Sequence, residues 1–172
     1  MIRKAEERDM SGLAAMSIEV WLNTYVRDGV SPHFADYVLS EFTAQKFRTA
    51  IDDPNLAIWV SESSTGIAGF ITVCSAATPP LPDCLSLEIT TLYVRPRCQS
   101  SGRGSALLQH ALHHCKGMGS ESIWLTVNAE NKNAIEFYHK HGFSQIGSSD
   151  FKIAGQAYVN YVMKKELAHP AG

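Results

Sequence analysis

The segment Leu92 to Leu108, LYVRPRCQSSGRGSALL, concentrates the residue types able to do chemistry. A β-type run ends at Val94, a proline-containing turn follows, and Gln99-Ser100-Ser101-Gly102-Arg103-Gly104 opens an amphipathic helix. The first turn of a helix carries backbone N–H groups without intrahelical partners, at the positive end of the dipole. Glycines there let an anion come close to the backbone. The segment reads as a phosphate-holding loop, the plainer alternative being a glycine-rich turn that only starts a helix. It is not the nucleoside-triphosphate loop, because no Lys-Ser/Thr pair follows the last glycine. Nor is it the dinucleotide fingerprint, because the first glycine of G-x-G-x-x-G is missing. The pattern it fits is Q/R-x-x-G-x-G/A.

Two other sets of residues invite a metal or redox reading and do not sustain it. His110 and His114 share a helical face, with His113 beside them. No Glu or third ligand completes a zinc motif, so they read as a solvated face. Cys74, Cys84, Cys98 and Cys115 form no C-x-x-C pair and no disulfide framework. Cys74 and Cys115 lie in apolar patterns and read as small core residues.

These groups need a scaffold, and the 172 residues suffice for one. A chain of this size buries roughly 70% of its unfolded surface. Apolar residues make up 45% and the formal charge is −2, which gives no broad electrostatic footprint for nucleic acid or an anionic membrane. The N-terminus, MIRKAEERDM, lacks the apolar core of a signal peptide, and no stretch is long enough to span a bilayer. A cytoplasmic protein, without nucleic-acid or membrane partners, is the expectation.

Periodicity orders the elements. Ile2–Ala5 reads as a strand and Glu7–Val26 as a helix, capped by Asp9 or Ser11. Ser31-Pro32 opens a second helix through about Phe42, and Thr43–Asp52 is a third. Leu56–Glu62 and Ile67–Ser75 form a hairpin. A proline-rich loop, Ala76–Cys84, leads to a long strand, Leu85–Val94. The helix from Gly102 to about Lys116 carries Leu107, Leu108, Ala111, Leu112 and Cys115 on one stripe. Ser122–Val127 is a strand, Glu130–His141 a helix ended by Gly142, and Phe143–Ser148 and Ala157–Lys164 are closing strands. The order β-ααα-ββ-β-α-β-α-β-β predicts an α+β fold, a mixed sheet flanked by helices, in one domain with an ordered core over 1–166 and a loose tail over 167–172.

A second segment, IWLTVNAENKNAIEFYHKHGF from Ile123 to Phe143, runs from a strand through Asn128 and Asn131 into a helix bearing Ala134, Ile135 and Tyr138. Together with the loop it resembles the GCN5-related N-acetyltransferase (GNAT) superfamily, over Leu85 to Phe143. The resemblance implies a GNAT-type fold with a central mixed, mostly antiparallel sheet of about six to seven strands and about four to five flanking helices. It implies acetyl-CoA as co-substrate, no metal, and direct attack by a primary amine. Homodimers are common in the family, so a homodimer is a further expectation.

The same resemblance distributes roles. Gln99, Ser100, Ser101, Gly102, Arg103, Gly104 and Ser105 would hold the pyrophosphate, mostly through backbone N–H, with Arg97 and Arg103 able to add charge. Leu92, Tyr93 and Val94 would pair with the pantetheine amides through backbone, and the Leu92 N–H would polarise the thioester carbonyl. Asn131 would meet the pantetheine arm, its plainer role being a helix cap. Glu88 would be the general base, in a strand whose burial raises a carboxyl pKa. Tyr138 would protonate the departing thiolate, and Phe137 beside it reads as core.

A finer resemblance, to the PaiA-type branch that acetylates spermidine and spermine, rests on SLEI, IWLTV, N-x-x-A-I-x-F-Y-x-K-x-G-F and TYVRDGVSPHFADYVLSEFT. It makes a polyamine the favoured acceptor. Asp28, Asp36 and Glu41 would attract it, and Trp21, Tyr25, Phe34 or Tyr37 would line its methylene stretches. Two other readings stand beside it: acetylation of a protein N-terminus or lysine, and an acyl-CoA-binding sensor with little turnover.

Overall fold

The computed structural model describes residues 1–153 and 155–168. Seven strands form one sheet: β1 (Ile2–Lys4), β2 (Leu56–Ser63), β3 (Gly66–Cys74), β4 (Glu88–Val94), β5 (Ser122–Asn128), β6 (Ser144–Ile153) and β7 (Gln156–Glu166). Their spatial order is β1-β2-β3-β4-β5-β7-β6. β4 and β5 are parallel, whereas β1–β2, β5–β7 and β6–β7 are antiparallel. Among the described residues the α-helices are α1 (Met10–Tyr25), α2 (Pro32–Glu41), α3 (Ala44–Asp52), α4 (Arg103–Gly117) and α5 (Lys132–Lys140). The chain forms two compact units: Met1–Thr72 with Thr91–His110, and Val73–Thr90 with Ala111–Gly172.

In the first unit, the helical spacing of Met10, Leu13, Met16 and Val20 buries one stripe of α1 against Ile58, Val60 and Phe70 of the sheet. Phe47 of α3 closes the cluster edge-on to Phe70, with ring centroids 5.8 Å apart. Each fully buried side chain of this size contributes about 1.5–3 kcal/mol. Ser31 and Thr43 cap α2 and α3, accepting from the N–H groups of Phe34 and Lys46. Asp9, expected to cap α1, is engaged elsewhere. Its carboxylate takes both terminal nitrogens of Arg3, at 2.7 and 2.9 Å, and the Glu6 N–H at 2.8 Å. The Arg3 hydrogen bonds hold the Asp9 carboxyl below its usual range. A short 3-10 turn, Glu7–Asp9, therefore precedes α1.

In the second unit, Trp124 packs with Cys84 and Val162, and its indole N–H donates to Leu85 O at 2.6 Å. That bond, with Ala77 N–H donating to Ser86 O, draws residues 85–87 into the preceding loop. β4 consequently begins at Glu88 and not at Leu85 as the sequence predicts. β6 and β7 are longer than expected and carry an irregularity between Gln145 and Gly147. A Cβ on Gly147 would lie 2.6 Å from Leu81 Cδ1, so the glycine admits the loop. Leu167, expected to begin the loose tail, is 3% exposed and donates its N–H to Glu121 O. The remainder of the expected tail, from residue 169, lies outside the described residues.

Candidate functional site

In the first unit the site begins with the end of β4. Leu92, Tyr93 and Val94 are half-buried. Gly69 of β3 makes room for them, since a Cβ there would meet Tyr93 O at 3.0 Å and Leu107 Cδ1 at 3.1 Å. Arg95 N–H donates to Ala68 O, and its guanidinium pairs with Glu19 of α1 at 2.7 Å. A 3-10 turn, Pro96–Cys98, then delivers the glycine loop.

The loop's side chains are spent on its own shape. Gln99 Nε2 donates to Val94 O at 3.2 Å, and Ser101 Oγ donates to Cys98 O at 2.5 Å. Ser100 and Gly102 both take left-handed backbone, with φ of 59° and 79°. Gly102 O accepts the first helical bond of α4, from Ala106 N. The amides of Arg103, Gly104 and Ser105 therefore occupy the helix end where intrahelical acceptors are lacking. A Cβ on Gly102 would meet nothing within 4 Å, so the space above the loop is open. Arg103, expected either to add charge for the anion or to be solvated, is anchored to the sheet through one end of its side chain. Its guanidinium donates to Ser61 Oγ at 3.0 Å and Glu62 O at 2.9 Å, tying α4 to β2. Both bonds use Nη1, and its backbone N–H faces the loop end of α4. Arg97 is exposed.

In the second unit Glu88 stands opposite Trp124 on β5. It is half-buried and has no ion-pair partner among the described residues. Burial alone pushes its carboxyl up to about 7. Tyr138, on α5, is 8% exposed between Phe137 and Phe143, and burial raises its phenol above its ordinary value. Asn131 is the N-cap of α5: its Oδ1 accepts from Ala134 N at 3.2 Å. The plainer role is thus the one its oxygen performs. Asn128 Oδ1 takes the Glu130 N–H, and the helix consequently starts at Lys132, later than the sequence predicts.

The residues expected around the acceptor divide into two groups. Trp21, 3% exposed, stacks on Tyr25 at 4.6 Å and touches Tyr37 and Phe34 at 5.0 and 5.4 Å. The aromatic cluster is real, with Trp21 as its buried centre. The acidic residues form the other group. Asp28 and Asp36 are exposed, and Glu41 pairs with Lys46 at 2.8 Å. His110 lies edge-on to Trp59, with centroids 5.4 Å apart. Burial lifts the thiol of Cys115 to about 11, which leaves it inert as a nucleophile.

One residue escaped the sequence reading. Asn160 on β7 is 9% exposed, and its Oδ1 is buried without a hydrogen-bond partner among the described residues. In the sequence it is one polar residue in an alternating strand. Only the pairing register reveals its surroundings.

A family profile described as an acetyltransferase (GNAT) domain matches residues 21–165. The chain belongs to the GNAT family. It is an acetyl-CoA-dependent N-acetyltransferase. An uncharacterized N-acetyltransferase of Mycobacterium tuberculosis is 28% identical over 135 residues, covering 78% of this chain and 83% of the relative. Another, from Lactobacillus delbrueckii subsp. lactis, is 23% identical over 167 residues, 96% of each chain. The crystal structure of a PaiA N-acetyltransferase from Thermoplasma acidophilum in complex with coenzyme A superposes with a TM-score of 0.77 at 20% identity, covering 96% of this chain and 98% of that one. That likeness bears on the fold. No helix among the described residues is long and apolar enough to cross a membrane.

Proposed function

We propose that this GNAT enzyme acetylates a primary amine on a small molecule, with polyamines such as spermidine and spermine the favoured class. The observation that carries the reading is Glu88, a half-buried carboxyl without an ion-pair partner among the described residues, which burial lifts to about 7. A base with a pKa near the working pH is suited to deprotonating an ammonium at neutral pH. Acetyl-CoA supplies the activated thioester carbonyl. The pyrophosphate rests on the amides of Gly102, Arg103, Gly104 and Ser105, in the open space above Gly102. Gln99, Ser100 and Ser101 shape that cradle, and the backbone of Tyr93 and Val94 aligns the pantetheine arm. The Leu92 N–H donates to the carbonyl oxygen as negative charge develops there.

Glu88 takes the ammonium proton, and the freed nitrogen lone pair attacks the carbonyl carbon. As the new C–N bond forms the C–S bond breaks, and the sulfur receives the Tyr138 proton. Burial keeps that phenol protonated until the thiolate forms. Asn131 sets the start of α5 and hence the position of Tyr138. The half-buried faces of Tyr25, Phe34 and Tyr37 around Trp21 suit methylene stretches, and Asp28 and Asp36 contribute negative potential from exposed positions.

The test is mass spectrometry of products after incubation with acetyl-CoA and a panel of spermidine, spermine, amino acids, an aminoglycoside and short peptides. Acetylated polyamine is the expected product. Product on peptides alone replaces the small-amine reading with a protein acceptor. Bound acetyl-CoA without any product replaces it with an acyl-CoA sensor.

A further inference from the structure

Asn160 is costly where it stands. Its Oδ1 is buried and without a partner among the described residues, and its residue is 9% exposed. Buried acceptors without a partner are rare and each calls for an explanation. The strand register supplies one. Asn160 pairs with Asn128 on β5 and with Ser149 on β6. Cross-strand partners share a sheet face, as do residues two apart on one strand. Asn160 therefore lies on the face of Asn128, Thr126 and Trp124, and Trp124 stands opposite Glu88. The packing of Trp124 with Val162, two residues along from Asn160, agrees. The other face carries Ile123 and its partner Lys165. Gly142, just beyond α5, sits against it: a Cβ there would lie 2.5 Å from Lys165 Nζ.

We propose that the Asn160 side-chain amide is a specificity contact for the acceptor, its Oδ1 taking an N–H of the substrate on the face that carries Glu88. This rests on the amine-acetyltransferase reading above. Glu88 and Asn160 are two strand spacings and four residues apart, roughly 17 Å between Cα positions at ~4.8 Å per strand and ~3.4 Å per residue. That separation is too long for both to hold one nitrogen. Glu88 serves the reacting amine, and Asn160 serves a second N–H further along the acceptor. A polyamine has such a group and a simple monoamine does not. The amide's orphan oxygen is then the site's reserve, unsatisfied in the free protein and satisfied by substrate.

The experiment compares wild type, Asn160→Leu and Asn160→Asp in steady-state assays with spermidine and with n-butylamine, and records Tm for each. The expected result for Asn160→Leu is a Tm at or above wild type, an unchanged KM for acetyl-CoA and a ~10- to 100-fold higher KM for spermidine, the range for losing a hydrogen bond to a charged group. The KM for n-butylamine shifts less than twofold. Asn160→Asp, which keeps the acceptor oxygen, restores the spermidine KM to within threefold. A spermidine KM within twofold of wild type in Asn160→Leu overturns the proposal, as does an equal rise for both amines. If Asn160→Leu folds poorly, Asn160→Asp decides: a tenfold loss there overturns it and a retained KM supports it. Wild type that acetylates neither amine refutes the small-amine reading instead. The Tm rise produced by spermidine in the presence of coenzyme A then tests Asn160. A rise confined to wild type and Asn160→Asp supports the contact, and equal rises, or none, overturn it.

Discussion

Replacing Glu88 by Gln tests the chemistry and the electrostatics in one variant. Burial lifts the Glu88 carboxyl from 4.5 to about 7. Between those values the native state holds a proton that the unfolded chain has released. Stability therefore falls as pH rises, because the native state binds more protons there. The stabilising protonated form is fully present below pH 4.5 and its advantage is lost through pH 7. A shift of this size has a ceiling of about 3 kcal/mol at 1.36 kcal/mol per pKa unit. Glu88 is half-buried, and solvent screening brings the expected effect down to about 1–2 kcal/mol. At roughly 2–4 °C per kcal/mol for a domain of this size, wild type should lose about 2–8 °C more than Glu88→Gln between pH 5 and pH 8. Thermal unfolding of the ligand-free proteins at the two pH values reads this directly. In turnover, wild-type kcat/KM should rise with pH to an apparent pKa near 7. Glu88→Gln should lose ~10²–10⁴-fold at pH 7.5, the range for a general base. The gap should narrow as pH approaches the acceptor amine's own pKa, ~10 for an alkylamine. An identical pH dependence of Tm in both proteins would refute the buried-carboxyl argument. A Gln variant with turnover within threefold of wild type would remove Glu88 as the base.

Other outcomes follow from the same geometry. Tyr138→Phe should cut kcat at least ~10²-fold while acetyl-CoA affinity by calorimetry stays within threefold; unchanged kcat removes the phenol as the acid. Gly102→Val places a β-branched residue at a φ of 79°, and should abolish calorimetric acetyl-CoA binding while costing about 1–2 kcal/mol of stability; retained binding would move the pyrophosphate off this loop. Arg103→Ala breaks the bonds to Ser61 and Glu62 O and should lower stability by about 1–3 kcal/mol, read by urea unfolding. If its stability is unchanged while acetyl-CoA affinity drops more than tenfold, the guanidinium serves the ligand after all.

What could be read from the chain depended on whether a feature is local. The stripe Leu107, Leu108, Ala111, Leu112 and Cys115 is buried as its spacing predicts, at 0–4% exposure. Ser31 and Thr43 cap their helices because capping is settled within three residues. The features that escaped are decided by distant partners. Arg3 claims Asp9, so the predicted cap of α1 is lost to a strand residue. Trp124 captures Leu85 O from 39 positions away and shortens β4. Arg103 looks like an anion ligand in its motif, and its Nη1 bonds β2 instead. The buried Oδ1 of Asn160 has no local signature, since neither β5 nor β6 can be assigned to its flanks without the register.

Three polar side chains of the glycine loop bear on how ligand recognition proceeds in time. Gln99, Ser101 and Arg103 each bond back to the protein, so the loop is braced before any phosphate arrives. A braced cradle has already met the entropic cost of ordering, and affinity gains accordingly. Association with coenzyme A should therefore be a single exponential whose rate climbs linearly with ligand concentration, with no slow saturating phase. Substitutions at Gln99 or Ser101 would then act as loosened bracing. They should slow capture and hasten release together, with no phosphate contact of their own to lose.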